Sequence, residues 1–362
     1  MKICILTKSI ATDTNGYGRY SRAVIDEFKK ADNLELKIFT EDDSGDYSFP
    51  RFIFFNSFII VLWSFFRLKQ LTKDCEIIHG LDAYPYGVMG AFAKLWTQKK
   101  LFISALGSYA VKPLFSFFPG LILKFAYRKA DMVFAASNFT QKKIKNLIPL
   151  ENITVINMGI SPSFINCIDK KEHLSDLPEQ YIMSVGALKY RKGYHISIPA
   201  FAKTREKFPK LQYIIVGSQE GVNYYNKLKE LVRKYNLGNS VIFLRNIDDN
   251  RLRCIYKRAE MFLLTSITAK DNFEGFGIVY LEAGLFGLPS IGSKDSGAED
   301  AILDNKTGFL LPQNDISALA DKLSFLLSDK SLRSRLGSNA KKHALSLSWA
   351  NIVNRYLSFY YR

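Results

Sequence analysis

An α/β fold built from two doubly wound, parallel-sheet domains is what the sequence predicts, and three observations predict it. Apolar runs of strand length alternate with helical patterns from residue 2 to about residue 159. The alternation breaks off in a polar stretch near residue 165, then restarts and continues to about residue 311. The length of 362 residues agrees, since it exceeds one ordinary core and suits two domains of roughly 150 to 200 residues.

The first strand is Lys2-Ile3-Cys4-Ile5-Leu6-Thr7, whose short apolar run meets Lys8 at once and so reads as a strand and not a signal peptide. Asn15-Gly16-Tyr17-Gly18-Arg19-Tyr20 follows, then an amphipathic segment to Lys30: strand, loop, helix. Gly16 and Gly18 lie where a first parallel strand gives way to its helix, the ligand edge of an open sheet, and are either ligand-facing or plain turn glycines. Further strand runs are expected at 34–40, 77–80, 101–106, 131–137 and 153–159, with Ser137-Asn138 as a helix cap. The aperiodic stretch Ile168 to Pro178 is read as the linker, giving domains at 1–165 and 180–345 joined over about 166–179.

In the second domain, strands are expected at 180–187, 211–217, 240–244, 260–266, 289–292 and 308–311. The first opens onto Ala187-Leu188-Lys189-Tyr190-Arg191-Lys192-Gly193, where Arg191 and Lys192 either neutralise a diphosphate at the sheet edge or form a solvated basic turn. Asp248-Asp249 reads as a cap. The segment 346–362 is helical with aromatics on one side, suited to packing back on the first domain.

The formal net charge of +16 stands out against globular values of 48% apolar and 23% charged residues. Excess Lys and Arg suits nucleic acid, an anionic membrane face or a phosphorylated substrate. Phe49 to Phe66 and Leu114 to Tyr127 are rich in aromatics and closely followed by Arg67 and Lys69 and by Arg128 and Lys129, a pattern shared by interfacial helices and buried aromatic ones. The uncharged run between Arg51 and Arg67 is shorter than the roughly 20 residues a spanning helix needs. Cys4, Cys75, Cys167 and Cys254 are far apart, which suggests a reducing cytoplasm, and no histidine has a metal-spaced partner. Neither a full dinucleotide fingerprint nor a P-loop is present.

The most informative stretch is Asp271-Asn272-Phe273-Glu274-Gly275-Phe276-Gly277-Ile278-Val279-Tyr280-Leu281-Glu282-Ala283-Gly284. Gly275 and Gly277 permit a tight turn and a close backbone approach, and the helix that follows directs its first N–H groups to the same place, a setting for phosphate. Glu274 in the loop and Glu282 just over one turn into the helix would reach one cleft at different depths. The alternative is a glycine loop before a buried helix, with both glutamates solvated.

Together with the cations at 191–192, Asp295 to Asp300 before Thr307-Gly308-Phe309-Leu310, and Ser348-Trp349 near the end, this stretch resembles the retaining glycosyltransferases of family four over nearly the whole chain. The resemblance implies a GT-B architecture: two Rossmann-like domains facing a deep cleft, the first for the acceptor, the second for a nucleoside-diphosphate-sugar, and a terminal helix crossing back. It implies that Glu282 binds the ribose, Arg191 and Lys192 the diphosphate, that Glu274 lies near the transferred sugar, and that the backbone of Phe276, Gly277, Ile278 and Val279 holds sugar and phosphate oxygens. It also implies no metal or other cofactor.

Three positions depart from the pattern: Leu106 where many members carry a histidine, Ala187 where many carry arginine, and Arg245 where glycine is frequent. The resulting expectation is metal-independent, retaining transfer of a sugar to a saccharide or lipid-linked saccharide in bacterial cell-surface polysaccharide or lipopolysaccharide biosynthesis, in the cytoplasm or at the inner face of its membrane. The rivals are a sugar-nucleotide epimerase or phosphorylase of the same architecture, and a basic nucleic-acid-binding protein.

Overall fold

The computed structural model describes residues 1–11, 16–42, 44–48, 66–166, 177–219 and 221–362. The chain divides into two compact units, Met1–Met158 with Trp349–Arg362, and Gly159–Ser348.

The first unit runs β1 (Lys2–Leu6), α1 (Gly16–Phe28), β2 (Glu35–Thr40), β3 (Tyr47–Ser48), β4 (Ile77–Gly80), α2 (Val88–Lys94), β5 (Lys100–Ala105), α3 (Ser108–Val111), α4 (Phe117–Lys129), β6 (Met132–Ala135), α5 (Asn138–Lys145) and β7 (Ile153–Val155). The strands form one parallel sheet in the order β3-β2-β1-β4-β5-β6-β7. Ile3 to Leu6, Ile77 and Ile78, Leu101 to Ile103 and Val133 to Ala135 are all buried, as expected of central parallel strands covered on both faces. Ser137 caps α5, its Oγ accepting the Thr140 N–H at 3.1 Å.

The second unit runs β8 (Tyr181–Val185), α6 (Tyr194–Lys207), β9 (Gln212–Val216), α7 (Val222–Lys234), β10 (Val241–Leu244), α8 (Asp249–Arg258), β11 (Phe262–Leu263), α9 (Ile278–Leu285), β12 (Ser290–Ser293), α10 (Ala298–Ala301), β13 (Gly308–Leu311), α11 (Ile316–Ser328) and α12 (Lys330–Ser346). Its sheet is also parallel, ordered β10-β9-β8-β11-β12-β13. Asp248 caps α8 by accepting the Arg251 N–H at 2.8 Å.

The last helix, α13 (Trp349–Tyr360), belongs to the first unit. It starts three residues later than the expected 346, because Ser348 is held in a bridge to Ile160. Its rings meet the core: Trp349 lies 5.6 Å from Tyr20, and Tyr356 5.0 Å from Phe134. A buried polar group is threaded through this cluster. His79 Nε2 lies 3.0 Å from Ser104 Oγ, its Nδ1 contacts the Tyr360 hydroxyl, and Tyr20 donates to Ser104 Oγ at 3.0 Å. Burial holds the His79 imidazole at about 3, so it is neutral and serves the packing of α13.

Some expectations change in detail. The two-residue strand β3 has no sequence signal, and the strand expected at 260–266 narrows to β11. Most of the expected linker, residues 167–176, and the aromatic run at 49–65 fall outside the described residues. The second aromatic segment is divided: Leu123, Ala126 and Tyr127 are core, whereas Phe117, Phe118 and Leu121 are exposed. Among the described residues no helix is long and apolar enough to cross a membrane.

Candidate functional site

The order of the second sheet reverses between β8 and β11, with β9 and β10 on one side and β12 and β13 on the other. Ligands of open α/β sheets bind beyond the C-terminal ends of strands at such a reversal. Arg191 and Lys192 lie in the segment that follows β8, and Glu274 in the segment that follows β11.

These two segments are joined directly. Tyr190–Lys192 forms a 3-10 turn ended by Gly193, whose φ of 71° is left-handed. A Cβ there would lie 1.8 Å from the Thr265 carbonyl oxygen, so only glycine lets the two backbones approach. Thr265 Oγ1 donates to the Gly193 carbonyl at 2.8 Å, and the Ile267 N–H to the Arg191 carbonyl at 2.7 Å. A third segment supports the same place, since the Gly297 N–H donates to the Glu274 carbonyl at 2.8 Å.

The frame brings the three charges together. Lys192 Nζ lies 2.5 Å from Glu274 Oε2, Arg191 Nη1 3.2 Å from the same oxygen, and Ser266 Oγ donates to it at 3.3 Å. Lys192 and Glu274 are both buried, which rules out a solvated basic turn and a solvated Glu274. The Arg191 side chain is 33% exposed. Burial alone would raise the Glu274 carboxyl, but the charges of Lys192 and Arg191 and the bonds from Lys192 and Ser266 outweigh it and hold the group at about 2. Burial pushes Lys192 below the ordinary lysine value, opposed by Glu274 and assisted by Arg191. Two cations therefore share one carboxylate, and the cluster carries one surplus positive charge at the sheet edge.

Gly277, with φ of 85°, turns the chain into α9, whose first N–H groups have no partner within the helix. Glu282, the fifth residue of α9, is buried and accepts the Tyr256 hydroxyl at 2.9 Å. Tyr256 is fixed by stacking on Phe286, with ring centroids 5.6 Å apart and planes at 4°. Glu274 and Glu282 thus have different partners, cations for one and a phenol for the other. Gly275, Phe276, Gly277, Ile278 and Val279 run from Glu274 into α9, as the spacing required.

Gly16 and Gly18 lie in the first turn of α1, the helix after β1, with residues 12–15 outside the described set. Leu106 follows β5 and is half-buried, Ala187 follows β8 and is half-buried, and Arg245 is exposed just after β10. Among the described residues no three His, Cys, Asp or Glu side chains gather as a metal would need.

Sequence reasoning passed over Tyr256 and Ser266 as ligands of the two glutamates. It also passed over Asp82, which follows β4 at the reversal of the first sheet. Asp82 is buried, accepts the Ala83 N–H at 2.7 Å, and is pushed up to about 7 by burial against its backbone bonds and the Lys8 charge. The signal was a lone carboxylate between Leu81 and Ala83 at the end of an apolar strand.

A family model described as "Glycosyl transferases group 1" matches residues 167–343, and one described as "Glycosyltransferase Family 4" matches residues 14–164. The chain is 31% identical to the D-inositol 3-phosphate glycosyltransferase of Corynebacterium urealyticum over 51% of its own length and 43% of that protein. It is 26% identical to the capsular polysaccharide biosynthesis glycosyltransferase CapM of Staphylococcus aureus over 82% of each chain. The chain thus spans less than half the length of some relatives and most of others. Among solved structures, Anabaena HepE in complex with UDP superposes with a TM-score of 0.81 over 99% of both chains at 20% identity, a likeness of fold. Two matched models that between them span both parallel-sheet units, in the GT-B fold those units form, place the chain in glycosyltransferase family four, the group 1 glycosyltransferases.

Proposed function

We propose that the protein transfers a sugar from a nucleoside diphosphate donor to a saccharide or lipid-linked saccharide, with retention of anomeric configuration and without a metal. The observation that carries this reading is the buried Lys192–Glu274–Arg191 cluster at the reversal of the second sheet, positive by one charge and beside the start of α9. HepE, which shares the fold, holds UDP. In the proposed reaction the bond from the sugar anomeric carbon to the donor phosphate oxygen breaks, and the acceptor oxygen bonds to that carbon on the same face. The acceptor proton passes to the departing diphosphate, so the half-buried Leu106 in place of a histidine is no obstacle.

Charge on the diphosphate rises as the bond breaks, and Arg191 with Lys192 and the α9 N–H groups of Ile278 and Val279 stabilise it. The cations need no reorganisation, since Glu274 already holds both of them. Glu282, kept in place by Tyr256, receives the ribose hydroxyls. Glu274 positions the cations and meets the transferred sugar. Within the first unit, which carries the acceptor, Gly16 and Gly18 at the start of α1 are proposed as phosphate-facing glycines. CapM, a relative over 82% of each chain, is named for capsular polysaccharide biosynthesis, which supports a cell-surface polymer as the destination; the reaction is proposed to take place at the inner face of the cytoplasmic membrane.

The test is a thermal-shift screen of the whole protein against nucleoside diphosphates and their sugars, because a ligand of the native state raises its melting temperature. A shift with one base, lost in Glu282→Ala, is expected; no shift with any of them overturns the reading. Donor incubated alone should yield neither an epimer nor, with inorganic phosphate, a sugar phosphate. Binding to long polyanions with no preference for sugar nucleotides would favour a nucleic-acid role.

A further inference from the structure

Helix α4 crosses the first unit from the C-terminal edge of the sheet, where β5 ends at Ala105, to the N-terminal edge, where β6 begins at Met132. One face of it is core. Leu123 and Tyr127 are fully buried, the Tyr127 hydroxyl donates to the Ala110 carbonyl at 2.7 Å, and Phe125 meets Phe92 of α2 at 5.4 Å. The other face is apolar where a soluble helix should be polar. Phe117 is 75% exposed, Phe118 70% and Leu121 53%, and the two phenyl rings pack edge to face 5.2 Å apart. Nothing in the packing of α4 requires these side chains, which project at the edge of the sheet where an open α/β domain receives its ligand.

The charges within this segment of the chain all have one sign. Between Leu106 and Ala130 the chain holds Lys112, Lys124, Arg128 and Lys129 and no Asp or Glu. Phe117, Leu121, Lys124 and Arg128 follow one another at three- and four-residue steps, so an apolar tip grades into a basic stripe along one side of the helix. An occupant of this face must match both the apolar tip and its positive margin. A bilayer with anionic head groups does, because aromatic side chains enter the acyl boundary while Lys and Arg stay among the phosphates.

We propose that the exposed face of α4, with Phe117, Phe118 and Leu121 as the inserted tip and Lys112, Lys124 and Arg128 as its basic margin, docks the protein on an anionic lipid surface. The proposal rests on the acceptor being lipid-linked, and it says how such an acceptor is reached: docking by this tip puts the ligand edge of the first sheet against the bilayer.

The test is co-sedimentation of the whole protein with vesicles of phosphatidylethanolamine containing phosphatidylglycerol, and with vesicles of phosphatidylcholine alone. Wild type should pellet with the first and remain in the supernatant with the second. Phe117→Ser/Phe118→Ser should lower the partition coefficient on anionic vesicles by about tenfold or more, and Lys112→Glu/Lys124→Glu by a similar factor, at about fivefold per cation. Both pairs are exposed or half-buried, and nucleoside diphosphate binding by thermal shift should be unchanged in each. Wild type that stays in the supernatant with anionic vesicles while still binding a nucleoside diphosphate overturns the docking face and leaves the transferase reading standing. Vesicle binding that depends on both pairs, in a protein that binds no nucleoside diphosphate, sinks the transferase reading and keeps the face. A dimer in sedimentation velocity that Phe117→Ser/Phe118→Ser dissolves, with no vesicle binding, assigns the face to a second copy and overturns the proposal.

Discussion

Lys192 Nζ sits 2.5 Å from Glu274 Oε2, and the pair is buried although the two residues come from different loops 82 positions apart. Removing Glu274 leaves two cations without their carboxylate, whereas removing Lys192 leaves Glu274 still bonded to Arg191 and Ser266, and the two substitutions therefore differ in what they report.

Glu274→Gln should destabilise the second unit at pH 7 by about 3 to 5 kcal/mol, the usual effect of breaking a buried pair. The wild-type carboxyl is held at about 2 against an ordinary 4.5, so its contribution is full above 4.5 and is lost as the pH falls toward 2. Urea titrations at pH 7 and pH 3 should show the gap between wild type and variant narrowing at the lower pH. A gap of constant size would mean that Glu274 is not the charged partner.

Lys192→Ala should lower turnover by roughly 100- to 1000-fold, the scale of losing one preorganised electrostatic contact. Because Lys192 is buried, its loss is also felt by the fold. A lowered melting temperature should accompany the loss, softened because Arg191 and Ser266 still hold the carboxylate. Transfer of labelled donor at the wild-type rate would remove Lys192 from the mechanism.

Tyr256→Phe should act on donor affinity through Glu282, whose carboxylate it leaves one hydrogen bond short. Calorimetry with the nucleoside diphosphate should show weaker binding in Tyr256→Phe, a larger loss in Glu282→Ala, and less than the sum in the double variant. Additive losses would place the two residues in separate functions.

Asp82→Asn should stabilise the first unit at alkaline pH. The Asp82 carboxyl is raised to about 7 by burial, so its neutral form suits the fold, and the stability it lends is complete below about 4 and lost as the pH rises through 7. The variant and wild type should melt together near pH 4, and the variant at higher temperature at pH 8. Coincident melting at both pH values would show that Asp82 is ionised at no cost.

How far the sequence carried depends on the range of the interaction concerned. Strands such as Ile3 to Leu6 and Leu101 to Ile103 announce themselves because central parallel strands are apolar on both faces. The stretch from Glu274 to Glu282 is legible because its glycines and glutamates are neighbours in sequence. The Glu274–Lys192 contact is different, since the hydrogen bonds of Thr265 and Ile267 to the Arg191–Gly193 turn create it. The same holds for Tyr256 and Glu282, which sit on separate helices. β3 is too short to leave any periodicity, and the exposure of Phe117 and Phe118 could not be told from the burial of Leu123 and Tyr127 by composition alone.

The placement of α13 also sets an order of events during synthesis. Tyr356 and Tyr360 close the core over His79 and Phe134, yet they are translated after the entire second unit. The second unit has all its strands before the ribosome reaches Trp349, whereas the first must present the apolar seat for α13 to the cell until the final turn of helix is made. A stop codon at position 349 would therefore cripple the half of the protein that was synthesised first.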